Sequence, residues 1–288
     1  MGKEINCKTR RNNAQSAMEY LMTYGWAILI ISVVLVVLFS MGITNPFFFA
    51  PKAVAGGCLV IKTEVSSSLE GVCNSEIPEY VAQFNGQTSY INIPSSAHIS
   101  PIKEISVFAW IYINSPESAI IEKEGSYGMK VGVQGASPGQ FAGYVWGTNG
   151  VCSSFPFSLK INTWYFVGFT FDGNTVYEYV NGKLYCEVSF YGGIDTSTSP
   201  LGLGGPDDVD GYVHGSISNL QVYNDSLSNT TVSTLYGEGI GGDPIDTNHL
   251  VGWWPLNGNA NDYSGNNNDG IASSIIWSGN WWQDYSAP

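Results

Sequence analysis

From Leu21 to Ile43 the chain is apolar or small, interrupted mainly by Thr23 and Ser32, and no charge follows Glu19 until Lys52. About 20 such residues suffice for a helix to cross a bilayer, and Gly42, Asn45 and Pro46 mark where the helix ends. Beyond Pro51 the pattern changes from helical to alternating. Val81 to Pro94 reads as two strands around Asn85-Gly86, a tight-turn signal. Ile105 to Ile113 and Trp164 to Phe171 are near-continuous apolar runs, which predicts buried strands. Asp172-Gly173 then leads into Val176 to Val180, and Asn181-Gly182 turns that strand into Leu184 to Val188. Short strands, frequent turns and no second amphipathic helix of length predict an all-β sandwich behind one long hydrophobic helix.

The N-terminal charges give the helix a direction. Lys3, Lys8, Arg10 and Arg11 hold the N-terminus cytoplasmic, so everything after Pro46 is expected outside the cell. An ordinary secretory signal carries its small-residue cleavage site after the apolar core, whereas here Ala14 precedes it. A cut between Ala14 and Gln15 would remove residues 1–14, keep residues 15–49 as a hydrophobic helix, and leave residues 50–288 as the outer domain. Glu19 would then be the fifth mature residue. A carboxylate at the edge of hydrocarbon costs ~2.5 kcal/mol or more before interfacial relief, so a partner is expected for it.

Composition fits an exported chain. Without the leader it carries seven basic and twenty-three acidic residues, a formal charge of −16. Phosphate neutralisation needs clustered Lys and Arg, so nucleic acid is disfavoured as a partner. Of five cysteines, Cys7 lies in the leader, and Cys58, Cys73, Cys152 and Cys186 remain to pair. Nearest-neighbour pairing, Cys58 with Cys73 and Cys152 with Cys186, is preferred among three connectivities, with free thiols as the other reading. No closely spaced Cys pair suggests zinc, and His98, His214 and His249 stand isolated in sequence. Asn224-Asp-Ser226 and Asn229-Thr-Thr231 are N-glycosylation sequons, meaningful if the domain is outside.

The string Gln15-Ser-Ala-Met-Glu-Tyr-Leu-Met-Thr-Tyr-Gly-Trp-Ala-Ile-Leu-Ile-Ile31, behind its basic leader, resembles the class III signal peptide of archaeal type IV pilins. The resemblance implies cleavage at Ala14-Gln15 by a prepilin peptidase, a helix that joins other pilin subunits in a filament core, and Glu19 facing the freed amine of a neighbouring subunit. The family usually has Lys or Arg two residues before the cut, where this chain has Asn13.

Phe84-Asn-Gly-Gln-Thr-Ser-Tyr-Ile-Asn-Ile-Pro94, Ile105 to Trp110, Trp164 to Gly173, Tyr179-Val-Asn-Gly-Lys183, and Gly215 to Asn224 followed by Leu227-Ser228 together resemble the laminin-G-like, or concanavalin-A-like, jelly-roll family. Leu250 to Gly270 looks like the segment that normally begins such a domain, yet it comes last here. A circular permutation, with the late strand filling a vacant edge, is preferred over the start of a second domain, because too few residues follow Gly270 for another sandwich. Asp262 to Asp269 gathers hard oxygen donors in a Gly-containing turn, as Ca²⁺ requires. The resemblance implies that this loop's Asp binds Ca²⁺ together with an acid from a strand, whose place is taken here by Ser218 or Asn219; the expected ligands are Asp262, Asn266, Asn268 and Asn219. A second acidic loop, Asp207 to Asp210, lacks EF-hand spacing.

Five of the nine tryptophans lie beyond residue 252. Trp253 and Trp254 should divide between core and outside, and Trp281 and Trp282 are the candidates for an exposed glycan platform. No catalytic residues emerge: Glu178 and Glu187 form no close carboxylate pair in sequence, and there is no Ser-His-Asp elbow, phosphate loop or metal-hydrolase helix. The expected function is a pilin-like subunit, first membrane-bound and then part of a surface filament, whose outer domain binds glycans or surfaces. The alternative is a membrane-tethered binding protein that never polymerises.

Overall fold

The computed structural model describes Met22, Val36, Pro288 and residues 24–34, 77–132, 137–146, 158–190, 192–205 and 212–286. The chain divides into two compact units, Met1–Lys52 and Ala53–Pro288. In the first, residues 24–34 are helical and every one of them is exposed. Ser32 turns its hydroxyl back to the Ile28 carbonyl at 2.8 Å, which hides its polarity along the helix. Among the described residues no helix is long and apolar enough to cross a membrane. The described part of the expected 15–49 helix is thus short, and the rest of that segment lies outside the described residues.

The second unit is a sandwich of two antiparallel sheets. The larger contains β1 (Val81–Asn85), β3 (Ile105–Ile113), β7 (Trp164–Phe171), β8 (Thr175–Val180), β9 (Lys183–Ser189), β11 (His214–Tyr223), β12 (Leu250–Trp254) and β14 (Ile276–Ser278). The smaller contains β2 (Tyr90–Ile93), β4 (Ser118–Lys123), β5 (Tyr127–Val131), β6 (Phe141–Val145), β10 (Leu201–Leu203) and β13 (Ile271–Ser273). The strand order is β14-β1-β11-β3-β7-β8-β9 in one and β13-β2-β10-β4-β5-β6 in the other.

β3 and β7 read as continuous apolar runs because both faces of their sheet are covered. Ile105, Val107, Ala109, Ile111 and Ile113 point into the core between the sheets, while Phe108 and Trp110 join a second cluster on the opposite face. Helix α1 (Asn229–Gly237) belongs to that outer layer, through Val232 and Leu235. Ser228 caps it by accepting from the Thr231 N–H at 3.2 Å. A 3-10 turn at Trp281–Asp284 adds Trp281 to the same layer. The short α1 is missed in the sequence because its apolar stripe is only two residues deep.

Leu250 to Trp254 completes this sandwich and starts no second one. β12 pairs with β11 over Leu220 to Tyr223, while β1 pairs with the other half of β11 over His214 to Ile217. The late strand therefore lies alongside β11 in line with β1, with β11 as its one strand neighbour among the described residues. Asn219, at φ 50°, sits at the irregularity in β11 that divides the two halves. β13 then pairs with β2 and β14 with β1, so two short consecutive strands extend the rims of both sheets.

Candidate functional site

Alternation along the smaller sheet sends Ile91, Ile93, Leu201, Leu203, Ile121, Met129 and Val145 inward. It leaves the opposite face to Ile271, Asn92, Gly202, Glu122, Gly128 and Tyr144, which lie side by side as one cross-strand row. A shallow open cleft of about 110 Å³ lies on this face. Asn92, Glu122 and Gly202 form its floor, and Glu124, Ser199 and Gly205 are among its other lining residues.

Two glycines in the row differ in why they are glycine. A Cβ on Gly128 would come within 2.5 Å of the Tyr144 hydroxyl, so its absence lets that ring lie across the sheet. A Cβ on Gly202 would meet nothing closer than 3.5 Å, the Gly205 carbonyl, and its φ lies outside the left-handed region. Neither backbone geometry nor packing calls for glycine at 202. Glycine inside a strand weakens it and commonly marks a close approach by a ligand.

The cations nearby are held in place. Lys123 points to the core side of β4, where its ammonium donates to Ser95 Oγ at 2.8 Å and to the Ser199 carbonyl at 2.5 Å, fixing one cleft wall. Burial lowers its pKa from the usual lysine value. Lys130 lies 4.4 Å over the Tyr144 ring centroid, a cation–π contact. The carboxyl whose burial does raise its pKa, to about 8, is Glu178. It faces the core and accepts from the Gly143 N–H at 3.1 Å, on the other side of the sheet from the cleft.

The calcium ligands expected from sequence are engaged within the chain. Asp262 is wholly buried; its Oδ1 accepts from the Trp253 and Ser264 N–H groups at 3.0 and 2.8 Å, and its Oδ2 from the Asn268 N–H at 2.9 Å. Asn219 Oδ1 accepts from Trp253 Nε1 and Gln221 Nε2, and Asn268 Oδ1 from Ser96 Oγ. Asn266 is held through its amide nitrogen, which donates to the Val251 carbonyl at 3.2 Å. The four residues do not fit a calcium shell of six to eight free oxygens. They form a largely buried polar brace for the loop that follows β12, with Asp262 held by backbone N–H groups. The loop Asp207 to Asp210 lies outside the described residues.

The tryptophans also differ from expectation. Trp253 and Trp254 alternate as predicted, but both are buried, one in each core cluster. Trp281 is only 6% exposed; it packs edge-on against Trp164 at 5.7 Å and donates to the Pro78 carbonyl. It is a core anchor and no part of a glycan platform, whereas Trp282 is 51% exposed. Cys186 is disulfide-bonded, with its partner outside the described residues along with Cys58, Cys73 and Cys152. Ala14, Gln15 and Glu19 lie outside them as well. Asn224 is exposed, and Asn229 opens α1 with its Oδ1 accepting from the Tyr179 hydroxyl at 2.5 Å. His249, isolated in sequence, stands beside Asp246 and Asp225 in space.

The sequence offers few direct signals for the cleft. Its floor comes from β2, β4 and β10, far apart in the chain, and Gly202 is one of 34 glycines. Period-2 alternation assigns the face but not the register that brings Asn92, Gly202 and Glu122 together.

No curated protein matches the chain. Among solved structures, a candidate carbohydrate-binding protein from Bacteroides ovatus is similar at 17% identity and a TM-score of 0.54, over 70% of this chain. The chain spans 60% of that protein's length. A heptameric SAP-like pentraxin from Limulus polyphemus is similar at 14% identity and a TM-score of 0.45, over 70% of this chain and 96% of the pentraxin. Mouse laminin α1 domains LG4-5 are similar at 14% identity and a TM-score of 0.40, over 63% of this chain and 48% of theirs. Residues 85–233 match the family model described as the concanavalin A-like lectin/glucanases superfamily.

Proposed function

As the chain belongs to the concanavalin A-like lectin/glucanases superfamily, we propose that it binds glycans, in the cleft floored by Asn92, Gly202 and Glu122, without catalysing their hydrolysis. The observation that carries this reading is Gly202, a strand glycine that neither φ nor crowding demands and whose missing side chain opens the floor. Asn92 and Ser199 supply amide and hydroxyl groups suited to sugar hydroxyls. The Bacteroides ovatus protein, a candidate for carbohydrate binding, supports the assignment at the level of fold.

The experiment is to screen the protein and its Gly202→Val variant against immobilised glycans. The added side chain fills the floor and suits a strand, so the variant should keep its melting temperature and lose binding. Undiminished binding by the variant would exclude the cleft.

We assign the N-terminal segment to anchorage and assembly. The helical residues 24–34 are apolar on every side, with only Tyr24, Trp26 and Ser32 offering polar side-chain atoms, and a helix of that kind needs covering by lipid or by other helices. Together with the pilin-like string from Gln15 to Ile31, this supports cleavage at Ala14-Gln15 by a prepilin peptidase, packing into a surface filament of pilin subunits with Glu19 at the joint, and display of the sandwich outside the cell. Cys186 in a disulfide supports an oxidising location, with Asn224 and Asn229 as glycan acceptors there. The mature N-terminus, read by Edman chemistry or mass spectrometry, tests the route: Gln15 supports it, and an intact Met1 refutes it. Normal filaments with a Glu19→Ala subunit incorporated would refute the assembly role of Glu19, and a parent protein that stays in the membrane and enters no filament would favour the tethered, non-polymerising alternative.

A further inference from the structure

Asp225, Asp246 and His249 each direct a ligand atom into one small volume, with all three atoms within 4.8 Å of one another. His249 Nδ1 is 2.8 Å from Asp246 Oδ2 and 3.8 Å from Asp225 Oδ2. Tetrahedral zinc with bonds of about 2.0–2.1 Å holds neighbouring ligand atoms about 3.3 Å apart. The two edges to His249 bracket that spacing, and the third, between the two carboxylates, lies within 4.8 Å, so modest side-chain shifts would bring the three atoms to three corners of a tetrahedron.

We infer that Asp225, Asp246 and His249 form a surface site for a divalent transition-metal ion of the zinc class, with water at the fourth position. The donor set decides the class of ion. One imidazole nitrogen and two carboxylates suit zinc and its neighbours, whereas Ca²⁺ and Mg²⁺ take shells of oxygen alone.

The backbone pre-positions the ligands. Asp225 lies two residues beyond β11 and His249 immediately precedes β12, and beside the paired strands the Asn224 N–H donates to the His249 carbonyl at 2.9 Å. The turn from Asp246 to His249 is closed on itself, the His249 N–H reaching Asp246 Oδ1 at 3.4 Å. Three donors are thus fixed by a strand end and a four-residue turn. The charge around them also favours a cation. Glu104 adds its negative field to that of Asp225 and Asp246 at His249. The site is remote in sequence from the cleft residues and is argued independently of glycan binding.

The test is to strip the untagged full-length chain of metal and titrate it with Zn²⁺ by calorimetry at pH 7.5, with Co²⁺ as a spectroscopic probe and Ca²⁺ as a control. One equivalent of Zn²⁺ should bind, Co²⁺ should give a tetrahedral visible spectrum, and Ca²⁺ should not compete. His249→Gln and Asp225→Asn should each weaken Zn²⁺ at least about tenfold. All three ligands are partly or well exposed, so both variants should fold, which circular dichroism checks. Unchanged Zn²⁺ affinity in both variants, or no Zn²⁺ binding by the parent, would overturn the site and leave the group as an ordinary ion pair.

Discussion

Glu178 makes the stability of the sandwich depend on pH in a direction opposite to that of a typical paired carboxylate. It lies on β8 opposite Phe169 and Cys186, fully buried between the sheets. One oxygen accepts from the Gly143 N–H, and the other has no hydrogen-bond partner. Desolvation raises its pKa from 4.5 to about 8, opposed only by the Gly143 bond. The folded protein therefore retains the proton that the unfolded chain gives up above pH ~4.5. Stability must fall as pH rises from about 4.5 to about 8, by about 1.4 kcal/mol per unit, with the full cost present above that window. Glu178→Gln keeps the shape and the acceptor for Gly143 while removing the ionisation. Relative to the parent, the variant should be about equal at pH 4.5 and more stable by about 3 kcal/mol at pH 7, an upper figure because water can relax a buried charge. Urea unfolding of both proteins at pH 4.5, 6, 7 and 8 reads the difference, in which every other titrating group cancels. Parallel curves, or a parent that gains on the variant as pH rises, would refute the assignment of a buried, desolvated carboxyl.

Trp281→Ala should destabilise the domain by about 3–5 kcal/mol, as removal of a core tryptophan does, while Trp282→Ala should stay within about 0.5 kcal/mol; thermal or urea unfolding separates them. Asp262→Asn should cost about 3 kcal/mol, because a neutral amide cannot serve three buried N–H donors. Adding Ca²⁺ to the parent should leave its melting temperature unchanged, and a rise would mean that the loop after β12 does hold the ion.

The parts of the fold legible in sequence are those set by local pattern. Apolar runs at Ile105 to Ile113 and Trp164 to Phe171 became β3 and β7, and Asn181-Gly182 became the turn between β8 and β9, with both residues at positive φ. The lane taken by Leu250 to Trp254 was not legible, because alternation says which face a residue takes and nothing about which half of a neighbour it pairs with. The same limit applies to Trp281. An aromatic near the end of a chain looks exposed until the Trp164 ring and the Pro78 carbonyl meet it from distant segments. The polar loop at Asp262 to Asp269 shows a different ambiguity, since a carboxylate that accepts three backbone N–H groups has the same sequence signature as one that awaits a metal. The cleft floor, the Glu178 bridge and the His249 cluster each join positions remote in sequence, which no local pattern encodes.

The position of β1 bears on how the domain carries load. A domain tethered through its N-terminal side and gripping a surface by its sheet face is pulled at the chain entering Val81. That strand is not a free edge: β11 holds one side of it and β14 the other, both antiparallel. Tension along β1 therefore loads two ladders in shear at once, and the hydrogen bonds must break together instead of unzipping one by one. If the domain is tethered as proposed, the late strand β14 acts as a mechanical latch on the point of attachment.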